Sequence, residues 1–422
     1  MRWWKKSSSR VFHLRCRPEV RDQSQPVVPV AKVDAGRISR FGGFVLTKRL
    51  KKQLATRRNL FLEILTIGRE CATNNIFNRF MVLSPTVFQI NVNATCNARC
   101  KICNIWHKED KTMLSINELE RIFSDPIFSR IEYVIVSGGE PTLRDDLAEV
   151  VLLMIQKMPG LRKISIPTNG IATNKCVSHF RKIAIACIEH DVLLSVGVSL
   201  DGVDEVYERA RGVEGGYQKV INTISKLKEL NNELEFNFSI GATLSGINIY
   251  DAYNLVQVAN SLDIDINFVV AAMSESYFDN KNLAENIILN EEQRRFFARF
   301  LQERMKNSPL ISEMPFYYEK SLEMLNGAKR SMPCPYQDQG LVLNADGTLH
   351  YCTNSQAIGN VHERLSSDIY KDPKNLAYRK HLVAEVCPGC QISCFIGVGL
   401  RKTLFPFLWF LANRVFRKRM TV

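Results

Sequence analysis

Between residues 86 and 272, short apolar runs alternate with amphipathic ones in a regular order. Residues 87–92, 131–137, 162–168, 193–200, 235–244 and 265–270 are rich in Val, Ile and Phe and have the length of strands. Residues 115–123, 143–158, 174–190, 216–230 and 248–262 carry their apolar residues at helical spacing. Six strand–helix units in succession predict an α/β fold: a parallel sheet with right-handed crossovers, bent into a partial (β/α)6 TIM-type barrel. In such barrels the chemistry sits on loops at the C-terminal ends of the strands.

The flanking segments have other patterns. Residues 1–43 mix Ser, Pro, Gln and Arg without periodicity and read as a flexible basic leader. Residues 44–85 alternate apolar and basic positions as a basic amphipathic helical segment. Residues 273–333 read as a helical connector with two helices, one beginning near Asn290. Residues 334–398 contain an apolar strand, an Asn344-Ala-Asp-Gly347 turn and a return strand to Cys352, then Cys387-Pro-Gly-Cys390. That is a small cysteine-rich hairpin-plus-helix module. Residues 399–422 form a basic, aromatic amphipathic helix whose apolar stretch falls short of the ~20 residues that span a bilayer. Two placements stand for it: in lipid headgroups, or capping the barrel or module.

Charge sharpens this division. The net charge of +13 is concentrated at the ends: residues 1–60 hold 16 Lys/Arg against 3 Asp/Glu, and residues 387–422 hold no acidic residue. This suits a near-neutral enzyme core whose ends touch an anionic surface or polymer. No apolar signal segment follows Met1-Arg-Trp-Trp-Lys-Lys6, so the expected location is cytoplasmic, with the basic ends as a membrane-surface contact. The 45% hydrophobic content excludes wholesale disorder.

Of 12 cysteines, Cys16, Cys71, Cys176 and Cys187 are scattered and read as ordinary thiols. The others form two groups, as expected of metal binding in a reducing compartment. Cys96, Cys100 and Cys103 leave the first strand with Cys-x3-Cys-x2-Cys spacing. Three ligands leave a fourth position open, as a site that does chemistry requires. Zinc on these cysteines plus His107 is the alternative. The second strand ends in Ser137-Gly138-Gly139-Glu140-Pro141, where two glycines let the backbone come close to a ligand and Glu140 adds negative charge. Thr168, Asn169 and Ser199 stand at the ends of the third and fourth strands, while Asp201 reads as the start of the next turn.

The cysteine loop, followed one βα unit later by Gly138-Gly139-Glu140-Pro141, resembles the radical S-adenosylmethionine (SAM) superfamily. The resemblance implies a 4Fe-4S cluster on Cys96, Cys100 and Cys103, with SAM chelating the open iron. It implies that Gly138, Gly139, Glu140 and Pro141 grip the SAM amino group, and that Thr168, Asn169 and Ser199 contact ribose and carboxylate. Arg211 or Arg209 would suit that carboxylate, because a guanidinium matches it bidentately. The implied reaction is reductive cleavage of SAM to a 5'-deoxyadenosyl radical that abstracts a hydrogen atom. Gly241 in the fifth strand is a candidate to admit the adenine edge. One departure is Ile102, where many members carry an aromatic residue against the adenine; Trp106 is the candidate substitute.

Cys334, Cys352, Cys387 and Cys390, with Cys394 as the competing fourth ligand, resemble the auxiliary-cluster module of the SPASM/Twitch branch in its shorter, Twitch-like form. The resemblance implies an auxiliary iron–sulfur cluster, of 4Fe-4S type, assisting electron transfer; a zinc ribbon is the alternative. The implied substrate is a peptide or a small molecule (sugar, cyclitol or cofactor precursor). The implied partner is an external one-electron donor of flavodoxin or ferredoxin type. Two rivals stand beside this: an RNA-modifying enzyme of the same superfamily using the basic N-terminal arm, and a non-catalytic iron–sulfur scaffold or sensor.

Overall fold

All six apolar runs become strands. β1 (Val87–Asn91), β2 (Tyr133–Ser137), β3 (Lys163–Thr168), β4 (Leu193–Ser199), β5 (Asn237–Leu244) and β6 (Ile266–Val270) pair in parallel, each with the next. The computed structural model describes residues 82–109, 111–308, 313–393, 396–402 and 408–414. The expected leader, nearly all of the 44–85 segment, Cys16, Cys71 and Cys394 lie outside the described residues.

Helices α1 (Ile116–Phe123), α2 (Leu147–Lys157), α3 (Thr173–Glu189), α4 (Glu205–Arg211), α5 (Gly216–Leu234) and α6 (Ala252–Ser261) alternate with the strands. The short α4 was not expected, because seven residues show too little of a helical period. Val150 and Met154 of α2, Phe180 and Ile183 of α3, and Ile224 and Leu227 of α5 join Val134, Ile164 and Val196 of the sheet in one buried core. At about 1.5–3 kcal/mol for each large apolar side chain, this burial is the main stabilising contribution. Cys176 and Cys187 belong to it as ordinary buried thiols.

α1 begins at a reciprocal cap. Ser115 Oγ accepts from the Glu118 N–H at 3.3 Å, and Glu118 Oε2 accepts from the Ser115 N–H at 2.8 Å. Ser115→Ala is expected to lower unfolding stability in urea by ~1 kcal/mol. An unchanged midpoint would show that the cap contributes nothing.

The barrel does not close. β6 forms one edge, and beyond β1 the sequence-predicted hairpin adds β7 (Gly340–Leu343), β8 (Thr348–His350) and β9 (Gly359–Asn360). β7 pairs in parallel with β1, placing Val87 opposite Gly340 and Ile90 opposite Leu343; the last strands are antiparallel. Segment 334–398 is therefore continuous with the barrel's sheet and not a module hung beside it. The physical reason is the backbone edge of β1, whose buried polar groups need partners. Asn91 Nδ2 reinforces the junction by donating to Asn344 Oδ1 at 2.7 Å.

Residues 273–333 supply two long helices, α7 (Glu291–Asn307) and α8 (Met314–Leu325), besides a one-turn helix at Ala284–Ile287. Phe410 of the C-terminal tail meets Phe316 of α8 edge-on at 5.3 Å, and Arg414 Nη2 donates to Met305 O at 2.9 Å. Residues 408–414 thus pack on the connector while Leu408 and Trp409 stay exposed, which favours the capping placement for this stretch. Among the described residues no helix is long and apolar enough to cross a membrane.

Candidate active site

The cysteine loop is held from three sides. Gly139 and Glu140 N–H groups donate to Asn93 O at 2.9 Å and Thr95 O at 2.8 Å, and Asn93 Nδ2 returns a bond to Glu140 O at 2.9 Å. At the end of α4, Arg211 O accepts from Arg99 N–H at 2.8 Å and Ala210 O from Lys101 N–H at 3.0 Å. After β6, Phe278 O accepts from Asn104 N–H at 2.9 Å, and Asn280 Nδ2 donates to Ile102 O at 2.9 Å. The loop is fixed by protein groups, as a preorganised site requires.

This packing changes the meaning of two sequence features. A Cβ on Gly138 would lie 2.4 Å from Asn93 O, and one on Gly139 2.3 Å from Thr95 O. The glycines let the end of β2 press against the cysteine loop, a closer need than approach to a ligand. The Glu140 carboxylate is buried and accepts from Thr142 N–H (3.1 Å), Thr142 Oγ1 (2.6 Å), Thr168 Oγ1 (2.7 Å) and Asn169 N–H (2.7 Å). These bonds join the ends of β2 and β3 through a residue that also borders the cavity beside the loop.

Beside the loop lies a cavity of about 210 Å³ bordered by Cys100, Cys103, Gly138, Gly139, Glu140, Pro141, Thr168, Asn169, Ser199 and Arg211. Cys96 adjoins it, with its Sγ 3.8 Å from Asn169 Nδ2. Arg209 is exposed and reaches Ile247 O at 3.5 Å, so of the two arginines Arg211 faces the site. Gly241 does not border this cavity. Sequence reading missed Asp201, Thr243, Ala271, Tyr277 and Phe278, which also border it.

Asp201 is more than a turn residue. Its Oδ2 pairs with Arg211 Nη2 at 2.7 Å, and its Oδ1 accepts from Thr243 N–H at 2.7 Å. Arg211 Nη1 lies 3.7 Å from Cys100 Sγ, so the guanidinium fork expected to clasp a carboxylate is engaged by Asp201 and a thiol. Its Nε is buried without a hydrogen-bond partner. Burial pushes the Cys96 and Cys100 thiols up and the Cys103 thiol up to about 12. Arg211 pulls Cys100 back down. Metal loading must therefore displace protons from these sulfurs.

Trp106 does not border the cavity: its Nε1 donates to Cys103 O at 2.9 Å and its ring lies under the Arg99 guanidinium. Ile102 does border it, and the aromatic surface comes instead from Tyr277 and Phe278, with Tyr277 Oη 2.7 Å from Ser137 Oγ. His107, the fourth ligand of the zinc alternative, is exposed with its ring against Trp106.

A second cavity is bordered by Cys334, Cys352, Cys387 and Cys390 together. Burial pushes the Cys352 thiol up to about 12, and its sulfur accepts from Asn354 N–H at 3.4 Å. Arg330, unremarked in the sequence, ties down the Cys-x2-Cys segment by donating from Nη1 to Cys390 O at 2.8 Å and Ile392 O at 2.9 Å. Among the described residues no three His, Cys, Asp or Glu side chains are grouped to hold a single metal ion. Three thiols beside an open cavity fit a cluster with one free iron, and four around a cavity fit a closed one. A larger cavity of about 1010 Å³ shares Ala271 with the first site and Cys390 with the second; Met273, Leu289, Arg294, Arg295 and Asn354 also border it.

Residues 90–255 match the family model described as the Radical SAM superfamily. Over 312 residues the chain is 25% identical to the GTP 3',8-cyclase of Aquifex aeolicus, covering 71% of this chain and 88% of that one. It is 30% identical over 188 residues to a probable GTP 3',8-cyclase of Archaeoglobus fulgidus, covering 42% of this chain and 56% of that one. Two solved structures share the fold at 17% identity. Streptococcus suis SuiB bound to the precursor peptide SuiA has a TM-score of 0.52 and covers 80% of this chain and 77% of that one. Native anSMEcpe with bound AdoMet has a TM-score of 0.52 and covers 78% of this chain and 100% of that one. The three-thiol loop and the glycine-rich strand end that meet at one cavity both lie within residues 90–255, the stretch that matches this family's model, and enzymes of that family work with a 4Fe-4S cluster and SAM.

Proposed function

We propose that Cys96, Cys100 and Cys103 hold the SAM-cleaving cluster, and that the enzyme removes a hydrogen atom from a small molecule bearing an anionic group. When bound, the cluster supplies one electron to SAM, giving methionine and a 5'-deoxyadenosyl radical. The observation that carries this reading is the cavity of about 210 Å³ bordered by Cys100, Cys103 and the 138–141 strand end. The backbone of 138–141 would receive the SAM amino group. Thr168 and Asn169 already serve Glu140 and the loop, through Thr168 Oγ1 to Glu140 and Asn169 Nδ2 to Asn97 Oδ1. Ser199, in the same lining, is then the side chain best placed for a hydroxyl or carboxylate, with Arg211 Nε as a further donor. Ile102, Tyr277 and Phe278 would keep water from a reactive radical.

The cavity of about 1010 Å³ has Ala271 in common with this site and Cys390 and Asn354 in common with the second, which suits a substrate held between two redox centres. Arg294 borders it, beside Arg295 paired with Glu291 in the same lining, and the matched relatives' names include GTP; the Arg294 guanidinium and those names favour an anionic small molecule over a peptide. The second centre would be an auxiliary cluster on Cys334, Cys352, Cys387 and Cys390. Four thiolates would close it to substrate and leave it a role in electron transfer. The primary electron would come from a flavodoxin- or ferredoxin-type donor.

The test is anaerobic reconstitution, iron and sulfide counts, then reduction with SAM present and chromatography for 5'-deoxyadenosine. Release of this nucleoside and about eight irons per chain are expected. Iron-loaded protein that releases none would be a scaffold or sensor, and a count near four would remove the auxiliary cluster.

A further inference from the structure

A buried chain of hydrogen bonds runs from one thiol set to the other. Thr353, which follows Cys352, has its carbonyl oxygen accept from Ser274 Oγ at 2.7 Å. The Ser274 N–H donates to Asn280 Oδ1 at 2.9 Å, and Asn280 Nδ2 donates to the carbonyl of Ile102, the residue before Cys103, at 2.9 Å. Ser274 and Asn280 are each 1% exposed and Thr353 6%. No charged side chain interrupts the path, which passes only through covalent bonds and these three contacts. Such a path couples two redox groups far better than an equal span of open space, because electronic coupling decays more slowly through bonds. Buried polar groups linked in this way also polarise one another and hold a fixed geometry.

We propose that the path Cys352–Thr353–Ser274–Asn280–Ile102–Cys103 carries electrons between the auxiliary site and the SAM-cleaving site. This rests on the auxiliary cluster of the proposed function. The path gives the electron a way back. SAM cleavage consumes one electron, and the 5'-deoxyadenosyl radical takes a hydrogen atom from the substrate. The substrate radical then loses one electron to the auxiliary site and one proton to solvent, becoming a product with one more bond order. Returned along the path, that electron re-primes the SAM site. SAM and substrate become methionine, 5'-deoxyadenosine, product and a proton, with no net reductant consumed.

The experiment needs no substrate. Reconstituted full-length protein receives less than one electron equivalent from a light-driven flavin reductant, and freeze-quenched spin resonance follows the electron distributing between the two clusters. Asn280→Leu, similar in size but without either polar atom, is expected to slow equilibration about tenfold or more in protein that loads both clusters; because Asn280 Nδ2 also holds the cysteine loop at Ile102 O, iron content and both cluster spectra are measured alongside. Ser274→Ala, which loses the contact to Thr353 and the oxygen that accepts from Tyr277 N–H at 3.2 Å, should slow it too. Ser276 Oγ also donates to Thr353 O, at 2.9 Å, but reaches Ser274 and Asn280 only through the longer backbone of Glu275, so Ser276→Ala should change the rate far less than Ser274→Ala. Wild-type rates in both Asn280→Leu and Ser274→Ala at full iron content would overturn the path alone. About four irons per chain in the wild type would overturn it together with the auxiliary cluster. If Asn280→Leu fails to load iron, the Ser274 and Ser276 variants decide: equal rates in those two also overturn it.

Discussion

Gly139→Ala is expected to empty the first cluster site while the protein stays folded. The added Cβ would meet Thr95 O at 2.3 Å and Thr95 C at 2.6 Å, both backbone atoms that no rotamer change can move aside. Either the end of β2 or the cysteine loop must shift, breaking the bonds from Gly139 and Glu140 N–H to Asn93 O and Thr95 O. Overpacking of this kind costs about 1–3 kcal/mol in stability. The functional loss should be larger, on the order of 100-fold in 5'-deoxyadenosine release, because the thiols lose their support. Iron counts, urea midpoints and nucleoside release measure the three effects. Gly197→Ala is the control, since a Cβ there meets nothing within 4 Å, and it should stay within about 0.5 kcal/mol of wild type. Normal iron content in Gly139→Ala would mean that the loop does not depend on this contact.

Arg211→Leu should be the most destabilising single change near the site. It leaves Asp201, 4% exposed, as a buried charge without its partner, at a cost of about 3–5 kcal/mol. Adding Asp201→Asn should recover part of this, since the amide oxygen still accepts from Thr243 N–H and the stranded charge is gone. A double variant no more stable than Arg211→Leu would show that the ion pair is not the cause. The pH response has a definite sign. Burial raises the Asp201 carboxyl, and without Arg211 only the bond from Thr243 N–H opposes it. The folded variant then holds its proton above the unfolded value of about 3.9, so its stability falls as pH rises through that window. The deficit against wild type is therefore smaller in acid.

What could be read from the sequence was local. The strands at 87–92 and 163–168 and the helix at 174–190 declare themselves through periodicity, and the spacing of Cys96, Cys100 and Cys103 limits what they can hold. What could not be read depends on distant parts of the chain meeting. Asp201 looks like a turn former until α4 carries Arg211 back to it. Ser274, Tyr277 and Asn280 sit in a connector without motif or period, and gain meaning only by packing between Ile102 and Thr353. The parallel pairing of β7 with β1 joins segments some 250 residues apart, as in Val87 opposite Gly340, and no short window contains both. The glycines were noticed for the right property, tolerance of close approach, but the neighbour is the chain itself.

That pairing has a consequence for dissecting the protein. Cutting the chain after residue 333 would not liberate a tidy catalytic half: it would strip β1 of its pairing with β7 and leave a raw, greasy seam ready to recruit another molecule's strand. It also means that the two thiol sets ride on one shared scaffold, so the span between them is set by a continuous ladder of backbone bonds and not by the swing of a tether.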